Sequence, residues 1–253
     1  MIKVVVNSKY DKMRDFVTKL PQSFEKEGLR IYEGRNIIKV FHVGDSDINV
    51  KRYCIPRWIN RIFYSTFART KAERAYHFPM EIIQRGFLSP EPIAYIEEYT
   101  PLHLLKHSFF VSMQCPFKHE MREMGNKNLD ECRALAAAFA RYTARLHKAG
   151  IMHKDYSPGN ILFTEDEKSA GGYSFSLLDT NRMKFNDHLG VQECCAAFRR
   201  LWAQTPVFRF MAHEYADERG WNGEECERLI LHYREMFWAR YRKRHPIEFN
   251  IDI

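Results

Sequence analysis

Ile151-Met152-His153-Lys154-Asp155-Tyr156-Ser157-Pro158-Gly159-Asn160-Ile161-Leu162-Phe163 is the stretch on which the reading of this chain turns. Apolar residues run into a polar loop, and the loop runs out into a second apolar stretch. Asp155 and Asn160 stand five positions apart at the two ends of that loop, where both side chains can face one cleft. Upstream, Asn128 followed three positions later by Glu131 is a capping-box pattern. Leu135, Phe139, Tyr142 and Leu146 then mark one apolar face at helical spacing, and Gly150 supplies a stop. A long helix therefore delivers the backbone into the loop. Downstream, Asn160 to Phe163 and Tyr173 to Leu178 read as two short strands around the polar loop Thr164 to Gly172, and Asp179 follows directly.

Phosphoryl transfer asks for a carboxylate to orient the attacking hydroxyl, oxygen ligands for magnesium on the ATP phosphates, and a cation near those phosphates. Asp155 offers the first. Asp179, emerging from an apolar strand into polar Thr180-Asn181, is placed to bind a metal that bridges phosphates. A His-x-Asp-x-x-x-x-Asn string alone would read as an incidental polar loop. A capped helix before it and a strand-borne aspartate after it give it the context of a catalytic loop. His153 reads as a hydrogen-bonding support for the loop rather than a base.

Working outward, the first half is strand-rich: Gly28 to Tyr32, Asn36 to Val43 and Ile48 to Tyr53 form an antiparallel meander with turns at Gly34 and Gly44-Asp45-Ser46-Asp47. A helical region follows from about Arg57 to Arg85, broken or kinked at Pro79, and two further strands at Pro92 to Glu97 and His107 to Met113. From about Gln192 the chain is rich in helix formers and aromatic residues, without repeats. The expected fold class is α+β and bilobal: an N-terminal β-rich nucleotide-binding lobe, residues 1–114, and a C-terminal helical catalytic lobe, residues 115–253. Met113-Gln114-Cys115 falls where the first lobe crosses to the second. Either the backbone groups of Met113 and Cys115 hydrogen-bond adenine, or the segment is a plain connector.

With 253 residues, 45% hydrophobic and 14% aromatic, the chain can bury a sizeable core. No run approaches the roughly 18 apolar residues of a spanning helix, and Asn7, Ser8 and Lys9 interrupt the apolar start before a secretory signal can form. A cytoplasmic location is expected. Six cysteines without a C-x-x-C pair read as reduced core thiols. The net charge of +7 favours an anionic partner, or reflects an ordinary solvated basic surface. The aromatic residues sit at core-like spacing and no nucleic-acid motif appears, so specific nucleic-acid binding is not expected.

The chain resembles the lipopolysaccharide kinase family, which phosphorylates Kdo or heptose sugars and is a branch of the protein-kinase-like superfold. The resemblance runs from about Glu33 to Leu201. It rests on Glu33-Gly34-Arg35, on Val50-Lys51-Arg52, on Gly86 to Pro92, and most specifically on His153 to Asn160 with Asp179. It implies that Lys51 grips the α- and β-phosphates of ATP, that Gly34 and Arg35 form the turn over the nucleotide, that Asp155 is the catalytic base, and that Asn160 and Asp179 hold Mg2+. Read from the strand alone, Lys51 is equally a solvent-facing lysine beside Arg52. Glu73 is the candidate acidic partner of Lys51, with Glu81 two turns on as the alternative.

The departures from the superfold are informative. There is no G-x-G-x-x-G, so the phosphate cradle is looser or uses Arg35. Thr180-Asn181 stands where protein kinases carry Phe-Gly, no Ala-Pro-Glu follows, and Lys154 replaces the arginine that reads a phosphorylated loop. These features favour a glycan or other small-molecule hydroxyl over a protein acceptor. Alternatives are a kinase or ATPase with a soluble acceptor or a role in tRNA modification, and a non-catalytic pseudokinase-like module; against the last, Lys51, Asp155, Asn160 and Asp179 are all present. Two basic, aromatic stretches, Arg57 to Arg69 and Arg240 to His245, read either as peripheral docking to the inner face of the cytoplasmic membrane or as core faces with snorkelling arginines.

Overall fold

The computed structural model describes residues 1–55, 69–247 and 249–252. The chain forms two compact units: Met1–Pro116 together with Asp179–Asn181, and Phe117–Leu178 together with Arg182–Ile253.

The first unit is built on a six-stranded antiparallel sheet. Its strands are β1 (Ile2–Val6), β2 (Leu29–Glu33), β3 (Ile37–Val43), β4 (Ser46–Tyr53), β5 (Pro92–Tyr99) and β6 (Leu105–Met113), in the order β1-β5-β6-β4-β3-β2. Side chains alternate across a strand, so the sheet has two distinct faces. Ile48, Val50, Ala94, Ile96, Phe109 and Val111 pack against Val17 and Leu20 of helix α1 (Arg14–Ser23) and against Phe24 at its C-cap. On the opposite face Tyr53, Tyr95 and Phe110 meet Ala72, Ala75 and Tyr76 of helix α2 (Lys71–Gln84). Lys51 alternates with Val50 and lies on the α2 side. The C-terminal end of α1 is closed by buried Lys39, whose Nζ donates to the carbonyls of Phe24, Glu25 and Glu27; a buried ammonium with three acceptors satisfies its donors.

Two features differ from the sequence reading. The first 27 residues yield no element by pattern, yet they form β1, which pairs with β5 from Ile2 opposite Glu98 to Val6 opposite Ala94, and α1. Pro79, expected to break or kink the helix, does not break it: α2 runs through it, after the N-cap Thr70, whose hydroxyl accepts the Glu73 N–H at 3.1 Å. Proline there removes one ladder bond, but Ala72, Ala75, Tyr76, Pro79 and Ile82 are all buried and hold the helix to the sheet. The earlier part of that expected helix, 57–68, lies outside the described residues, and so does nearly all of the basic stretch Arg57 to Arg69.

In the second unit, helix α3 (Leu129–Lys148) begins with the expected capping box: Glu131 N–H donates to Asn128 Oδ1 at 3.1 Å and Asn128 N–H to Glu131 Oε2 at 2.7 Å. Gly150, at φ +73°, turns the chain out of the helix in the left-handed region that suits glycine. Strand β8 (Ile151–His153) follows and pairs with β11 (Met183–Phe185). Between them, β9 (Ile161–Glu165) and β10 (Tyr173–Leu177) form the anticipated hairpin, with β7 (His119–Glu120) on the outer side of β9. Helices α4 (Val191–Ala197), α5 (Thr205–Arg219) and α6 (Gly223–Tyr241) complete the unit. All six cysteines are free thiols; Cys132, Cys194, Cys195 and Cys226 are buried, but Cys54 and Cys115 are only half-buried and lie outside the core expected for them.

Candidate active site

The loop after β8 is held by its own side chains. His153 is buried, and its Nε2 lies 2.9 Å from the Leu178 carbonyl, which can only accept. The proton is therefore on Nε2, and Nδ1 accepts the Asp155 N–H at 3.1 Å. Asn160 Nδ2 and the Ser157 N–H both donate to the Asp155 carbonyl, at 2.9 and 2.8 Å. The Leu178 N–H in turn donates to the Asn160 carbonyl at 2.8 Å. With its nitrogen committed, the Asn160 amide presents Oδ1 as its remaining acceptor. The guanidinium of Arg122 lies against Gly159 and would have to move for any side chain there.

The carboxylate of Asp155 is held from two sides. Arg200 Nη1 donates to Oδ1, and Arg182 Nη1 lies 3.7 Å from Oδ2. Both arginines went unnoticed in the sequence. Arg182 is three positions after Asp179, and Arg200 is one of a pair in Phe198-Arg199-Arg200-Leu201; no local pattern ties Arg200 to an aspartate 45 positions upstream.

In the first unit, Lys51 Nζ lies 2.8 Å from Asp179 Oδ1, with 12% and 32% of the two side chains exposed. Asn181 Nδ2 also donates to that oxygen. Asp179 has φ +48°, and the only other non-glycine residue with positive φ among those described is His103. Tyr53 lies under the lysine, whose Nζ is 5.4 Å from the ring centre. Burial, and secondarily the Asp179 charge, push the Tyr53 phenol well above its ordinary pKa. Helix α2 grips the following turn through Arg74, whose Nε donates to the Asn181 carbonyl at 3.1 Å. The carboxylate partner of Lys51 is thus Asp179; Glu73 lies 4.0 Å from Arg69, and Glu81 pairs with Arg85 at 2.8 Å, so the structure brings neither glutamate to the lysine.

Gly34 and Arg35 occupy the tight turn between β2 and β3, where Gly34 N–H donates to the Asn36 carbonyl at 3.1 Å and Arg35 is exposed with Nε 3.4 Å from Cys54 Sγ. Of the Met113 backbone groups expected to meet adenine, the N–H is engaged elsewhere. It is already given to the Glu91 carbonyl at 2.9 Å, and that of Gln114 to the Asp47 carbonyl at 2.9 Å, because the end of β6 is tied to both neighbouring segments. Among the described residues the Cys115 N–H has no such partner and is the donor left in this stretch.

Asp179 Oδ2 and Asn160 Oδ1 are hard oxygen donors, the type magnesium prefers, and magnesium in nucleotide sites takes one or two protein oxygens alongside phosphates and water. The donor chemistry fits the ion. No set of three or more His, Cys, Asp or Glu residues capable of forming a metal cage occurs among the described residues.

An antiparallel sheet unit and a mainly helical unit give the chain the architecture of the protein-kinase-like class. The chain belongs to the lipopolysaccharide kinase (Kdo/WaaP) family, whose model matches residues 32–205, and members of that family are kinases. A solved structure described as WaaP in complex with acyl carrier protein is similar at a TM-score of 0.64 and 15% identity, over 95% of this chain and 98% of that one. None of the curated proteins matches the sequence significantly.

Proposed function

We propose that this kinase transfers the γ-phosphoryl group of ATP to a hydroxyl of Kdo or heptose in the lipopolysaccharide core or a related surface glycan. The observation that carries the reading is the Asp155 carboxylate, fixed by Arg200 and Arg182 on a loop braced by His153 and Asn160. A carboxylate so oriented accepts the hydrogen bond of the acceptor hydroxyl and aligns its oxygen for in-line attack. Lys51 contributes a cation for the nonbridging oxygens of the α- and β-phosphates, and Asp179 keeps that ammonium in place at 2.8 Å. When bound, Mg2+ supplies charge neutralisation on the phosphates, with Asn160 Oδ1 and Asp179 Oδ2 as the protein oxygens. The turn at Gly34 and Arg35 covers the nucleotide, and the Cys115 amide serves adenine.

The segment after Asp179 supports a small acceptor. It is one 3-10 turn, Thr180–Arg182, running straight into β11, with α4 starting at Val191. A peptide-docking activation segment has no length in which to form. No helix among the described residues is long and apolar enough to cross a membrane.

The test follows label from γ-labelled ATP, with magnesium, into purified lipopolysaccharide core, free Kdo, free heptose and water, for wild type, Asp155→Ala and Asp179→Ala. Label in a glycan that drops at least about a thousandfold in both variants is the expected result. Transfer confined to water, or unchanged in Asp155→Ala, would remove the glycan reading.

A further inference from the structure

A cavity of about 860 Å3 lies in the second unit against α6 and the residues that follow it. Arg199, Arg240, Lys243, Arg244 and His245 line it, and no carboxylate does. Several arginines elsewhere in the same unit are matched, among them Arg141 with Glu214, Arg145 with Glu218 and Arg209 with Glu227. Arg199, Arg240, Lys243 and Arg244 have no ion-pair partner among the described residues, although Arg199 donates to the Ala196 carbonyl. Four permanent cations gathered around one hollow repel each other, and an incoming anion relieves that repulsion.

The cavity is not a bare basic patch. Phe237 and Tyr241 both line it, stacked with ring centres 5.7 Å apart, and Tyr233 adds a third ring. Flat aromatic faces suit the C–H faces of a sugar, and guanidinium forks suit carboxylate or phosphate oxygens. Phe237 and Tyr241 also line a second hollow of about 130 Å3, whose other walls include Ser157, Pro158 and Gly159 of the catalytic loop and Arg200. Arg200 lies 5.5 Å over the Phe237 ring while holding Asp155. One continuous lining thus runs from the cationic cavity to the loop that carries the base.

We infer that this cavity binds the anionic part of the acceptor glycan, a sugar bearing a carboxylate or phosphate, and so selects acidic over neutral acceptors. The inference rests on the glycan-kinase reading for its biological meaning, but the cavity is tested by binding alone. Isothermal titration measures the affinity of deacylated, phosphate-bearing lipopolysaccharide core oligosaccharide for wild type, for Arg240→Glu/Arg244→Glu, and for a Lys168→Glu control on the exposed hairpin loop, which does not line the cavity. Thermal melts verify that each variant is folded.

The double variant is expected to lose affinity by about tenfold or more, and the control to keep it. Repeating the titration after phosphatase treatment, and with free Kdo, separates the two anion sources: retained binding assigns the carboxylate, lost binding the phosphate. The inference is overturned if the double variant binds the oligosaccharide as wild type does, or if wild type binds neutral heptose equally well. It is also overturned if the variant loses only its sedimentation with phosphatidylglycerol vesicles, which would make the cations a membrane contact. Oligosaccharide binding that the variant loses, in a protein that transfers no label to any glycan, would keep the cavity and remove the kinase reading.

Discussion

In the proposed mechanism Asp155 orients the acceptor hydroxyl, and the residues that hold it act through it rather than on the substrate. Arg200 donates to one carboxylate oxygen, and its guanidinium in turn lies over Phe237. It is a positioning residue: a carboxylate free to rotate spends less time aligned with the acceptor hydroxyl, and small misalignments cost large factors in rate. Arg200→Ala is expected to lower kcat about 10- to 100-fold while leaving KM for ATP within about twofold. Arg200→Lys should recover part of the loss, since an ammonium restores charge but not the planar fork. Steady-state kinetics with ATP and glycan varied separately gives the split. A rise in KM for ATP at constant kcat would show that Arg200 serves the nucleotide instead.

At the level of elements, α3 was legible because its signals are local and agree: a capping box, an apolar face at helical spacing, a glycine exit. The β9–β10 hairpin was legible for the same reason. β1 was not, because five residues gain their meaning only from β5, some ninety positions later in the chain. Nor was α1, whose Pro21 and largely exposed polar residues hide the burial of Val17 and Leu20. The packing of α3 on α5 carries its own prediction. His147, in the last turn of α3, is buried with Nδ1 2.9 Å from the Tyr215 hydroxyl of α5. Burial, aided by the charge of Arg219, pulls its pKa from 6.5 down to about 3. The folded value lies below the unfolded one, so between those pH values the unfolded chain binds the extra proton. Stability from this site is therefore complete above about pH 6.5 and declines as pH falls toward 3. At pH 5 the loss is about 2 kcal/mol, or roughly 4–8 °C in Tm for a chain of this size. His147→Gln keeps an acceptor for Tyr215 but does not titrate. Its Tm should fall less than that of wild type between pH 7 and pH 5, by about that margin; equal falls would show that His147 titrates normally or is not the group responsible.

For the molecule as a whole, the chain order scatters what the fold collects. Asp179–Asn181 packs with the first unit although it follows 62 residues of the second, Phe117–Leu178. The sequence revealed Asp179 through the strand before it, but not that Lys51 is its partner, since the two are joined only by tertiary structure. Glutamates on a nearby helix were the plausible local alternative. What Asp179 does for the whole protein is testable through linkage, because a ligand that binds only the folded state raises its stability. At a hundredfold excess over Kd, MgATP should add about 2.7 kcal/mol, or roughly 5–10 °C in Tm. Asparagine tolerates the left-handed backbone that Asp179 adopts at φ +48°, so Asp179→Asn removes the charge without adding backbone strain. The variant should melt with little or no MgATP-dependent shift, and wild type should lose its own shift when EDTA replaces magnesium. A full shift in Asp179→Asn would mean that the carboxylate does not hold the ion, and that Asp179 serves to position Lys51 alone.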